Sequence, residues 1–256
     1  MKIKFEDHGD GVPLVLLHGF PLSRRMWEPQ KKELVSENVR LILPDLRGFG
    51  ETKSLADINT MEEMAWDVAE LLDDLKIEKA IIGGLSMGGY VTFALFRLQP
   101  DLFSGWVLCD TTSAADTEEK RENRFKLIKK IEEVGSQVLI DNMLPVLVGE
   151  FTKENNRELL ADLEQRFADT EPQAAMGALR GMAARKDNSD LLPEINVPTL
   201  FIFGEDDALT GTETGRKMHS QVKDSELCII KNAGHYSNLE QPEQFNEALI
   251  SFIGKQ

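Results

Sequence analysis

Apolar residues in this chain fall into short dense runs, separated by longer segments in which they recur every three or four positions. The runs are 14–17, 41–43, 80–82, 106–109, 199–203 and 227–230, rich in Val, Ile, Leu and Phe and closed off by Gly, Pro or Asp. A strand that is apolar at nearly every position is buried on both faces, as in a parallel sheet covered by helices. Residues 1–7 alternate charged and apolar and predict a further strand rather than a secretion signal. The intervening segments have helical length and spacing. Residues 61–75 open with Thr60 and, three positions on, Glu63, a capping-box pattern. Met64, Val68, Leu71, Leu72 and Leu75 then follow the helical repeat. Residues 87–98 follow a strand directly and stop at Pro100, and 241–253 read as a closing amphipathic helix.

The alternation breaks once. Residues 114–192 contain no convincing strand and several helical patterns. The segment 118–133 is heavily charged, with Phe125, Leu127, Ile128 and Ile131 as its apolar stripe. Three further apolar groups follow: Leu139 to Leu147 including Val146, Leu159 to Phe167, and Met176, Leu179 and Met182. A structureless loop of that length is improbable, so a helical insertion into an α/β sheet is expected, leaving 1–113 and 193–256 as the core.

The densest chemical signal is Gly84-Leu85-Ser86-Met87-Gly88, placed between a strand and a helix. A serine on so sharp a turn must take strained backbone angles, and its neighbours two residues away come close enough to require glycine. The helix that follows points its N-terminal amides at the serine, where an oxyanion would develop. A dinucleotide motif fails because Leu85 stands at its second glycine, and a phosphate loop fails because Tyr90-Val91 follow Gly89.

A serine nucleophile needs a base. Of four histidines, only His18 and His235 follow apolar strands, where such sheets gather their ligands. His235 also completes the chain order nucleophile, acid, base. Two places suit the acid: Asp110, after 106–109, and the pair Asp206 and Asp207, after 199–203. The oxyanion needs an amide from the turn His18-Gly19-Phe20-Pro21, and since proline has no N–H, Phe20 is the candidate. His18 is expected to brace its own loop.

Composition narrows the partners. With 256 residues, 44 Asp+Glu and 29 Lys+Arg, the formal net charge is −15. That balance argues against a nucleic-acid phosphate backbone and against an anionic membrane. No apolar stretch is long enough to span a bilayer. Cys109 and Cys228 sit inside apolar runs, where burial is expected, and two cysteines make no disulfide framework. A soluble cytoplasmic protein follows as the expectation.

Taken together, His18-Gly19-Phe20-Pro21, Asp45-Leu46-Arg47-Gly48-Phe49-Gly50, Gly84 to Gly89, Gly204-Glu205-Asp206-Asp207 and Gly234-His235 resemble the α/β-hydrolase superfamily. Within it the chain is most similar to small bacterial carboxylesterases and their cofactor-free haloperoxidase (perhydrolase) relatives. The resemblance implies an α/β-hydrolase fold: a mostly parallel sheet of about seven strands flanked by helices, lacking the family's first edge strand. The insertion 114–192 would be a helical cap after the sixth family strand. It implies Ser86, Asp207 and His235 as the catalytic residues, and Phe20 and Met87 as the oxyanion hole, with no cofactor and no metal. It also implies that one strand separates Cys109 from Cys228, too far for a disulfide. The expected activity is hydrolysis of short-chain carboxylic esters by a monomer or small homo-oligomer. Lactonase or perhydrolase chemistry on the same residues is the near alternative, and a hydrolase-fold ligand receptor with little turnover the distant one.

Overall fold

The computed structural model describes residues 1–35 and 38–255. Its strands are β1 (Phe5–His8), β2 (Val12–Leu17), β3 (Val39–Pro44), β4 (Ala80–Leu85), β5 (Phe103–Cys109), β6 (Thr199–Gly204) and β7 (Ser225–Ile230). They form one seven-stranded sheet in the order β1-β3-β2-β4-β5-β6-β7. Every pairing is parallel except β1 with β3. All six residues of β4 and of β6 are buried, as expected of runs covered on both faces. The first strand begins at Phe5 rather than at residue 1. Its partner β3 ends at Pro44, opposite Phe5, so the residues before it have no strand to pair with and run along the following loop instead.

The helices of the core are α1 (Glu28–Leu34), α2 (Met61–Asp74) and α3 (Met87–Leu98). Six follow between β5 and β6: α4 (Glu118–Val134), α5 (Gln137–Asn142), α6 (Leu144–Leu147), α7 (Glu150–Asn155), α8 (Arg157–Ala168) and α9 (Pro172–Ala184). Then come α10 (Thr212–His219), α11 (Ser237–Glu240) and α12 (Pro242–Ile253). Among the described residues no helix is long and apolar enough to cross a membrane.

The sheet order reverses between β2 and β4. From β2 the chain steps outward to β3, then returns to place β4 on the other side of β2, with Leu17 opposite Gly84. The loops leaving these two strands therefore diverge and open a crevice at their carboxyl ends. Helix α3 is fixed over β5 by an aromatic cluster. Trp106 lies 4.7 Å from Phe103, 5.0 Å from Phe96 and 5.2 Å from Phe93, measured between ring centroids. Burial of Trp106 and of Phe93, both fully enclosed, contributes on the order of 2–3 kcal/mol each.

Two features of the chain behave differently from their sequence pattern. Phe125 and Val146 are exposed, so the inward face of α4 is set by Ile128 and Ile131. Cys228 is half-buried while Cys109 is fully enclosed. The two thiols share one register row, Cys109 opposite Ile202 and Ile202 opposite Cys228. Two strand spacings put them about 9–10 Å apart, beyond the reach of a disulfide.

Helix α2 packs beside α3 and starts with a complete capping box. Glu63 donates its amide to Thr60 Oγ1 at 3.1 Å, and Glu63 Oε2 accepts the Thr60 amide at 3.0 Å. Replacing Thr60 by Ala removes the first of these and should destabilise the fold by about 1 kcal/mol. A drop of about 2–4 °C in thermal midpoint, read by calorimetry, is the expected result. An unchanged midpoint would show that α2 is held by packing alone.

Candidate active site

Ser86 stands between β4 and α3 with φ 53° and ψ −113°. A non-glycine residue there is strained by about 1–3 kcal/mol, and the surroundings must hold it. They do so by close approach. A Cβ on Gly84 would lie 2.4 Å from the carbonyl carbon of Gly88, and one on Gly88 would lie 2.2 Å from the Leu17 carbonyl oxygen. Neither position has room for any side chain. The Ser86 amide donates to the Cys109 carbonyl at 2.9 Å, and its carbonyl accepts from the Thr111 hydroxyl at 2.8 Å. The turn is thereby locked to β5, and the side chain projects at the start of α3.

His235 follows β7 and is buried at 1 % exposure. Its Nδ1 donates to Asp207 Oδ2 at 2.9 Å. The other oxygen of Asp207 accepts the amides of Leu209 at 2.9 Å and Thr210 at 3.0 Å. Burial pushes the Asp207 pKa upward, but the His235 charge, its hydrogen bond and those two amides outweigh burial and hold the carboxylate below its ordinary range. Burial pushes the His235 pKa down, and the Asp207 charge and hydrogen bond outweigh it, leaving the imidazole above its ordinary value. With the proton held on Nδ1, Nε2 is the basic nitrogen. His235, Ser86 and Phe20 line one cavity of about 220 Å³.

The other candidates separate cleanly. Asp110 does not meet His235. Its Oδ1 accepts the Gly204 amide at 2.7 Å and its Oδ2 bonds the Ser237 hydroxyl at 2.5 Å. Burial, with the Asp207 charge behind it, drives its pKa well above the usual carboxylate range. Asp206 is exposed. His18 uses both ring nitrogens on loops: Nδ1 donates to the Gly19 carbonyl at 3.1 Å and Nε2 accepts the Leu46 amide at 2.9 Å. Burial pushes its pKa down.

Met87 is the first residue of α3, so its N–H has no carbonyl four residues back within the helix. The Gly19 amide turns away to Met26 Sδ at 3.2 Å, and Phe20, the next residue, lines the cavity. The Phe20 carbonyl accepts from the Tyr236 hydroxyl at 3.0 Å. Among the described residues no group of three or more His, Cys, Asp or Glu converges as metal ligands would.

Sequence reasoning overlooked Glu240 and Arg124. Glu240, at the end of α11, accepts the amides of Gly149 at 2.9 Å, Gly234 at 3.0 Å and Tyr236 at 3.3 Å. It ties the segment between α6 and α7 to both neighbours of His235. The His235 amide itself donates to the Leu147 carbonyl at 2.7 Å. A buried Glu five residues after the histidine was the available signal. Arg124 lines the cavity from α4, and its signal was its spacing of three, four and seven from Leu127, Ile128 and Ile131.

Comparison with known proteins identifies the family. The family model described as the alpha/beta hydrolase fold matches residues 12–242. Among solved structures, a thermophilic esterase from Thermogutta terrifontis superposes with a TM-score of 0.96 at 40 % identity, covering 99 % of this chain and 93 % of that one. 3-Oxoadipate enol-lactonase 1 of Acinetobacter baylyi is 30 % identical over 99 % of this chain and 92 % of its own length. A putative non-heme chloroperoxidase of Synechocystis is 29 % identical over 99 % of this chain and 95 % of its own length.

The two pKa directions make the Asp207–His235 pair stabilising in a defined pH window. His235 is raised from 6.5, so its contribution is complete below about 6.5 and is lost as pH rises through the folded value. Asp207 is lowered from 3.8, so its contribution is present above about 3.8 and is lost as pH falls through the folded value. Asp207→Asn should therefore cost more unfolding free energy at pH 5.5 than at pH 8.5, measured by denaturant titration. Equal costs at the two pH values would mean that the imidazole is not held above its ordinary value by Asp207.

Proposed function

The chain belongs to the α/β-hydrolase family and is an enzyme of the hydrolase class, and from that premise we propose that it is a serine carboxyl-ester hydrolase working through an acyl-enzyme. The observation that carries this reading is the Asp207–His235 hydrogen bond, which ends in a cavity shared with a strained, cavity-lining Ser86. Ser86 Oγ attacks the ester carbonyl carbon while His235 Nε2 takes its proton. Asp207 holds the imidazole in the tautomer that leaves Nε2 basic and stabilises the imidazolium. The amides of Phe20 and Met87 receive the oxyanion, with the N-terminus of α3 behind the latter. His235 returns the proton to the leaving alcohol, the C–O bond breaks, and water repeats the sequence on the acyl-enzyme.

Residues 114–192 act in this scheme as a cap. Met143, Leu147, Leu179 and Met182 give the cavity that holds Ser86 an apolar lining, and that lining limits the length of the acyl or alcohol chain. A volume of about 220 Å³ suits short-chain esters. A small lactone presents the same carbonyl, and the similarity to an enol-lactonase supports lactones as a second substrate class.

Turnover of a short chromogenic ester should fall by about 10⁴–10⁶ in Ser86→Ala and in His235→Ala, and the double variant should be little worse than either. Asp207→Asn should lose about 10⁴ through the wrong tautomer, whereas Asp110→Asn should lose far less. A fluorophosphonate should label wild type at Ser86 and leave Ser86→Ala unlabelled. Because His235 is held above 6.5, kcat/KM should rise with pH along a limb above that value. Independent, multiplying losses in the double variant would dismiss Ser86 and His235 as a unit, and a larger loss at Asp110 than at Asp207 would move the acid.

A further inference from the structure

In a chain of formal net charge −15, the cavity holding Ser86 and His235 has a cationic wall. It is built on α4. Arg124 shares the inward face of that helix with Ile128 and Ile131, and Lys120, one turn earlier, lines the same cavity. The counter-charge is a single carboxylate, Asp116, whose side chain is 1 % exposed. Arg124 reaches it with Nε at 2.5 Å and Nη2 at 3.2 Å, and Arg185 reaches it with Nη1 at 2.7 Å. Two guanidiniums on one carboxylate leave one positive charge in excess, and Lys120 adds another.

The two arginines are not equivalent. Arg185 is also spent on the carbonyls of Met182 at 2.9 Å and Ala114 at 3.1 Å, and its guanidinium stacks on the Tyr90 ring at 4.1 Å. It braces the helical insertion against α3. Arg124 faces the cavity, with the Tyr90 hydroxyl among its partners. Its Nη1 donates to Met182 Sδ at 3.4 Å. A thioether is a weak acceptor, so that N–H is readily given up to a stronger one. A surplus charge with an exchangeable N–H edge matches a carboxylate, which accepts in the plane of the guanidinium and supplies the missing charge.

We propose that Arg124 binds a carboxylate carried by the substrate. The preferred substrates are then short esters or lactones with a free carboxylate a few bonds from the scissile carbonyl, such as half-esters of small dicarboxylic acids or acyl esters of small hydroxy acids. This rests on Ser86 being the nucleophile of an ester hydrolase. Arg124 acts here as a specificity determinant, with Lys120 drawing the anion toward the cavity of an otherwise acidic protein.

The test compares near-isosteric pairs differing in one carboxylate: monomethyl succinate against methyl butyrate, and O-acetyl-lactate against isopropyl acetate. In the wild type, kcat/KM for the charged member of at least one pair should exceed the neutral one by about 10–100-fold. Arg124→Gln should cut that ratio at least tenfold, and Arg124→Lys should retain part of it. A purely structural Arg124 would lower both members together and leave the ratio unchanged, which would overturn the proposal. So would a wild-type ratio at or below one for both pairs. Calorimetric titration of succinate into Ser86→Ala, with and without Arg124→Gln, separates the subsite from the chemistry. Binding that weakens at least tenfold on loss of Arg124 upholds the carboxylate subsite even if no ester is hydrolysed, a result that would sink the esterase reading alone. Equal binding with and without Arg124, or no binding to Ser86→Ala, overturns the subsite.

Discussion

Ser86 can occupy its strained turn only because three backbones meet there without side chains between them. Gly84 and Gly88 face each other across the turn, and Gly88 presses on the carbonyl of Leu17 at the end of β2. The strain is distributed over the sheet by the Ser86 amide bonded to β5 and the Thr111 hydroxyl on its carbonyl. Everything else in the candidate site is arranged around that fixed point. The sheet reverses its order between β2 and β4, so the crevice opens where the turn lies, and the Phe20 loop leaves β2 beside it.

Around this point two buried aspartates take opposite roles because their partners differ. Asp207 faces an imidazole and two amides and is held as a carboxylate. Asp110 faces one amide, a hydroxyl and the charge of Asp207, and burial drives it toward the neutral acid. Environments that push the pKa values of two acids apart in this way give the two different parts to play. Asp110 then serves as a brace, joining the last residue of β6 to Ser237, two residues beyond His235.

The insertion between β5 and β6 packs against the same histidine loop. Its Leu147–Gly149 stretch accepts the His235 amide and shares Glu240 with Gly234 and Tyr236. A Cβ on Gly234 would lie 2.4 Å from the Gly149 amide nitrogen, so the two segments touch at backbone distance. Elsewhere the insertion carries Asp116 and Arg124, which line the cavity, and Arg185, which ties Asp116 to Tyr90 on α3.

The sequence by itself determined the layered fold, the strained serine turn and the histidine loop, because each rests on local physics. Near-continuous apolar runs, Gly84 and Gly88 flanking Ser86, and the Thr60–Glu63 cap all act within a few residues of one another. Local pattern left the acid open between Asp110 and the 206–207 pair, since both follow buried strands, and only resemblance to known hydrolases pointed to Asp207. In the folded chain it is Asp207 that His235 Nδ1 reaches, a contact across 28 positions. Arg124 was hidden for a different reason. In a helix as charged as α4, one more cation reads as solvated surface, and Phe125 beside it looked like core but is exposed. Which face of α4 turns inward is fixed by packing against α9 and by Asp116, eight residues earlier and also held by Arg185. The sign of the charge in the cavity is thus a property of tertiary contacts, because it depends on how many cations share one buried carboxylate.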